Sequence, residues 1–258
     1  MILRSITKHV KEQNWFAVGL DFFIVVFGVF VGLQVSNWNE SRKNRDLAAN
    51  YIERLQTDIA LEIALWGKAT DYFGTARDYG REALARFDQP AESLDAQFLI
   101  ALYQASQVWY VAANRATFDE LQSTGRIVNI RDEQLRTILA NHYLRVNQTG
   151  FTLNQTSQYR RIARLYMHQT VQDQIRKNCG DKWVTDTNNF YYVLLPKTCE
   201  IDIPADMLKT EIAKLHGNAE IRQELRFHLS VLGAQLGVIG NATDTASATL
   251  KKLEETTP

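Results

Sequence analysis

Five histidines and two cysteines carry most of the reactive nitrogen and sulfur in this chain of 258 residues. His9, His142, His168, His216 and His228 stand singly, with no partner at the i, i+4 spacing that sets two imidazoles on one helix face for zinc. Each is read as a surface histidine or a hydrogen-bonded core one. No phosphate-binding loop, dinucleotide glycine turn or serine elbow appears. Gly237, Val238, Ile239 and Gly240 lie in an apolar helical stretch with no strand before it. No pair of carboxylates is marked by spacing as an acid/base dyad. The chemistry the pattern does support is oxidation. Cys179 and Cys199 are the only cysteines and bracket a loop containing Gly, Asn and Pro. Such a pair fits a disulfide made in an oxidising compartment, and closing a loop of about twenty residues stabilises a fold by roughly 3 kcal/mol on the chain-entropy account. No catalytic residue, cofactor or metal ligand is assigned, and the chain is read as non-enzymatic.

The next chemically unusual group is Asp21, because it lies inside the most apolar stretch of the chain, residues 15–38. An ionisable side chain at membrane depth is costly and marks a partner, a pathway or reach to the interface. About 20 apolar residues at 1.5 Å rise span roughly 30 Å, the thickness of a bilayer core. Trp15 and Trp38 stand at its two ends, where indoles anchor. The run is too long for a signal peptide and offers no small-x-small cleavage site, so it is read as an uncleaved transmembrane helix. Gly28, Gly32 and Ser36 fall on one face of that helix, an arrangement that lets two membrane helices approach closely, although glycine is also simply common in such helices.

The elements that surround these groups follow from periodicity. Residues 1–14 read as a short basic cytoplasmic tail, too short for an output domain. Residues 39–258 read as a helical extracytoplasmic domain. Ala48, Ile52, Leu55, Ile59, Ile63, Trp66, Thr70, Phe73, Gly80, Leu84 and Phe87 mark a long stalk helix continuing from the span. Ser93 is expected to cap a second helix, and residues 108–111 either extend it or break into a connector. Thr117 to Glu120 has the form of a capping box, and Gly125 is placed to end that helix in the left-handed region. A third periodic segment carries Leu135, Leu139, Tyr143, Tyr159, Ile162 and Tyr166, with Arg160, Arg161 and Arg164 read as a solvated face. Residues 178–203 break the helical pattern: β-branched and aromatic runs flank a polar turn at 186–189, which predicts a hairpin insert clipped by the two cysteines. Its exposed aromatics make a binding surface, or else it is a lid packed on the helices. Pro204 opens another helix and Asn218 caps the last, which is expected to decay into an exposed tail from Asn241 onward.

Lys and Arg number 29 and Asp and Glu 29, so no basic face favours nucleic acid. Arg42, Lys43 and Arg45 beside the span suit anionic lipid heads or a plain solvated helix start. The basic residues on either side of the span nearly tie, and the cysteine pair tips the orientation toward an outer, periplasmic body.

Two phrases are familiar. Gln13, Asn14, Trp15 and Phe16, with Gly28 to Gly32 and Ser36, Asn37, Trp38, Asn39 and Glu40, resemble the opening of an uncharacterised family of bacterial single-span membrane proteins. Thr117 to Arg126 followed by Ile130, Arg131 and Asp132 is similar to that family's second recurring phrase. The resemblance implies a bacterial envelope protein with a helical extracytoplasmic body and supplies no ligand or catalytic residue. The expectation is an all-α protein of one inner-membrane helix, a stalk and a helical bundle with a small disulfide-clipped insert. Its partners are the lipid bilayer and a second copy or another membrane protein, and it acts as scaffold or accessory subunit. A ligand-binding sensor working through a partner's span is the alternative.

Overall fold

The computed structural model describes residues 15–186 and 190–256, and the side chains at 15–19 and 21 are outside that description. The basic tail, the tip of the polar turn and the side chain of Asp21 therefore lie outside the described residues. The chain divides into two units, Met1–Tyr51 and Ile52–Pro258.

Helix α1 (Trp15–Arg86) begins in the first unit. Every residue from 22 to 35 is exposed, and among the described residues Phe22–Arg86 is the helix long and apolar enough to cross a membrane. In the second unit α1 buries Leu55, Ile59, Trp66 and Phe73 at the expected positions, and Phe87, one residue past its end, is buried as well. Between them the inward sites are not those of the expected stripe. Thr70 is exposed, Ile63 and Leu84 are half-buried, and Glu62, Ala69, Ala76 and Ala83 point inward, one heptad apart. Alanine at three of these four sites leaves room for neighbouring helices, so the larger apolar groups fall at the flanks.

Helix α2 (Ala96–Ala105) is buried on all sides from Phe98 onward, the character of a central core helix. Its cap is Asp95, which accepts from the Gln97 N–H at 3.0 Å. Ser93 belongs instead to a 3-10 turn, Ala91–Ser93, and donates to the Pro90 carbonyl. After Ser106 the chain runs as an irregular connector holding Trp109 and Val111 in the core. Helix α3 (Ala116–Ser123) starts two residues too early for the expected capping box, with Arg115 rather than Thr117 at the cap position. Asn114 Oδ1 accepts from the Ala116 N–H, while Glu120 pairs with Arg54 at 2.7 Å. Gly125 does end this segment in the left-handed region, at φ 68°.

The third periodic segment is three helices, α4 (Glu133–Leu153), α5 (Gln158–Tyr166) and α6 (Gln169–Cys179). Asp132 caps α4 by accepting from Leu135 N–H at 3.1 Å. Strands β1 (Lys182–Thr185) and β2 (Tyr191–Leu194) pair antiparallel, with Trp183 opposite Val193. Helix α7 (Ala205–His216) follows Pro204, and Asn218 caps α8 (Ala219–Thr256) by accepting from the N–H groups of Glu220 and Ile221. The expected exposed tail is absent. Helix α8 runs on through the Ser/Thr-rich stretch, packs along α4 and α5, and buries Ala242, Ala246, Thr249 and Leu253. The hydroxyls of Thr243, Thr245, Ser247 and Thr249 donate to carbonyls four residues back, so polar side chains are absorbed by the helix itself.

Candidate functional site

Gly28 and Gly32 lie in the exposed apolar part of α1, and a Cβ added at either meets nothing within 4 Å. Ser36 is exposed on the same helix. The two cysteines are joined: Cys179 and Cys199 form a disulfide closing the hairpin insert at its base. The helices grip the same base. Gln104 Nε2 donates to the Cys179 carbonyl at 2.7 Å and Gln97 Nε2 to the Cys199 carbonyl at 3.0 Å. The Tyr79 hydroxyl donates to the Pro196 carbonyl, and the Tyr72 hydroxyl to Asp181. Val193 and Leu195 enter the core, while Trp183 and Tyr191, 62% and 54% exposed, stack at 5.1 Å on the outside. The insert thus has both expected characters, a packed inner side and an exposed aromatic pair.

A second cluster was not visible in the sequence. Glu62 and His142, each 2% exposed, meet with Oε2 and Nε2 3.0 Å apart. Trp66 Nε1 donates to the other carboxylate oxygen at 2.8 Å. His142 Nδ1 faces Thr249 Oγ1 at 3.4 Å, and the Thr249 hydroxyl spends its proton on the Thr245 carbonyl. Nucleophile-type hydroxyl, imidazole and carboxylate are aligned, yet all three residues are buried and the hydroxyl is committed to its own helix, so the arrangement is a structural polar core. Beside it, Arg115 donates to the Tyr143 carbonyl, to Asn147 and to Asp119, and Phe118 stacks on Tyr143 at 4.2 Å. Burial pushes the Tyr143 phenol well above its usual range.

His228 is a hydrogen-bonded core histidine. Its Nε2 meets the Ala105 carbonyl at 2.7 Å and must donate, so Nδ1 accepts from the Ser157 hydroxyl at 2.8 Å. Burial holds its pKa below the ordinary value of 6.5. His168 accepts from Thr170 N–H at the start of α6, and His216 meets the Gln89 carbonyl. Arg160 and Arg164 depart from the expected solvated face. Both are half-buried against the end of α2 and are bonded to Ser106 and Gln107.

Among the described residues no group of three or more His, Cys, Asp or Glu side chains is placed to hold a metal ion. No protein-family model matches the chain, and no curated protein or solved structure shows significant similarity to it.

Proposed function

We propose that this chain is a membrane-anchored envelope protein that works through protein interactions, as a scaffold or accessory subunit, with its helical body outside the cytoplasm and residues 1–14 inside. The observation that carries this reading is the uninterrupted exposed apolar surface of residues 22–35. In water such a surface is untenable, and in a bilayer it faces lipid or another helix. The positions of Gly28 and Gly32, with open space around them, support close approach of a second span. The disulfide supports an oxidising compartment for the body.

The decisive experiment is association of the full chain in membranes, read by energy transfer between differently labelled copies and by co-purification in mild detergent. Replacing Gly28 and Gly32 together by Ile is expected to abolish either self-association or capture of the partner. Unchanged association would remove the span as the contact. A ligand-responsive role is the second reading, favoured by an arginine-lined depression on α5. A small molecule that binds the folded body must raise its unfolding temperature by mass action, which separates this role from scaffolding.

A further inference from the structure

Arginines 160, 161 and 164 surround one open depression of about 450 Å³, lined also by Thr156, Ser157 and Leu165. Two of them are fixed by neutral partners alone. Arg160 Nη1 donates to the Ser106 carbonyl. Arg164 donates from Nε to Ser106 Oγ at 3.2 Å and from Nη2 to Gln107 Oε1 at 2.8 Å, and its guanidinium lies 4.4 Å from the centre of the Tyr103 ring. Elsewhere in the body Arg54, Arg86, Arg115, Arg176 and Arg222 each pair with a carboxylate. Among the described residues no ion pair of that kind forms at Arg160, Arg161 or Arg164.

The acids nearby are committed. Asp181 acts on Arg160 and Arg164 only at longer range, accepts the Tyr72 hydroxyl at 3.1 Å, and has its pKa raised by burial. Asp173 is taken by Arg176, and Glu220 by the Tyr166 hydroxyl. Burial and the charge of Arg160 both disfavour the cation on Arg164, so positive charge is held here against its own repulsion. The start of α5 adds to it. Ser157 stands at the cap position, but its hydroxyl is spent on His228, so no side chain caps the first-turn N–H groups. Two half-buried guanidinium groups oriented by neutral acceptors, a third in solvent, and the uncapped helix start share one concave surface.

We propose that this depression is a binding site for a phosphate-bearing anion. Guanidinium forks match phosphate oxygens in pairs, and the arginines are already oriented, so little side-chain freedom is lost on binding. The site belongs to the second unit alone and stands or falls independently of the anchoring role.

Pyrophosphate is the probe. The full chain, in detergent or in phosphatidylcholine discs, is titrated by calorimetry and followed by thermal unfolding in chloride buffer. Saturable binding with a rise in unfolding temperature is expected. Arg161→Gln, at an exposed residue, should unfold like the wild type without ligand, yet bind about tenfold more weakly. Arg164→Gln should weaken binding at least as much. Absence of saturable binding to the wild type, or unaltered affinity in both variants, overturns the site. Discs containing phosphatidylglycerol assign the source: competition with pyrophosphate identifies a lipid headgroup, and unaltered affinity identifies a soluble phosphate compound.

Discussion

At the scale of single residues the body is set by a few buried polar groups that cannot be changed one at a time. Glu62 is held by Trp66 and His142, and each bond disappears if its partner is truncated. Breaking a buried pair from one side leaves an uncompensated charge or donor, at a cost of about 3–5 kcal/mol. Denaturant unfolding of Glu62→Leu and His142→Phe should each show a loss of that order. The double variant should recover much of it, and additive losses would mean that the two groups do not interact. His228 gives a second expectation, in pH. Its folded-state pKa lies below 6.5 because burial disfavours the charged ring. As pH falls through 6.5 the unfolded chain takes up this proton and the folded one does not, so stability declines on acidification, by up to about 1.4 kcal/mol per pH unit until the folded value is reached. Unfolding temperature measured between pH 7 and 5 should therefore fall more steeply in the wild type than in His228→Gln. A hydrogen-bonded core place was one of the two readings open to His228, but the pair was not legible beforehand: Glu62 is an ordinary helix acid by composition, and only the fold brings it to His142, eighty residues away.

At the scale of elements, what periodicity and turn chemistry determine locally was readable, and what depends on competing neighbours was not. The long helix, the left-handed Gly125, the Asn218 cap, the hairpin and the Cys179–Cys199 clip all follow from adjacent residues. The Thr117 capping box failed because Asn114 reaches the first free donor and Arg54 draws Glu120 away. The Ser/Thr-rich end of α8 looked like a loop by composition. However, Ala242, Ala246, Thr249 and Leu253 keep a helical spacing, and small residues suffice where α4 lies close. Two expectations test these elements. Reducing the disulfide removes a constraint on a loop of 20 residues and should cost about 3 kcal/mol, seen as a lower unfolding temperature under reductant. At Gly80 helices α1, α2 and α8 meet: an added Cβ would lie 2.8 Å from a Leu229 methyl and 3.5 Å from Ala105 Cβ. Gly80→Ala can push that flexible leucine aside and gains helix propensity, whereas Gly80→Val should destabilise by about 1–3 kcal/mol. Calorimetric comparison of the two variants checks the difference.

At the scale of the whole molecule, the chain has two units of different character, an apolar helix with no buried residue over residues 22–35 and a body with a continuous aromatic core around Trp66, Tyr72, Phe98, Tyr103 and Tyr159. The placement proposed for the body predicts that a membrane-permeant thiol reagent labels Cys179 and Cys199 in cells only after reduction. Labelling without reduction would argue for a reducing compartment. The polar core also has a consequence for how the chain is made. Glu62 leaves the ribosome long before His142, and the threonine that orients the imidazole, Thr249, is made a further 107 residues later. Synthesis proceeds from the N-terminus, so until residue 142 is made the acid has Trp66 as partner but not the imidazole, and the body cannot close around it. Products that stop before α8 is complete will expose this unfinished interior to proteases, and only chains translated through residue 249 can hide it.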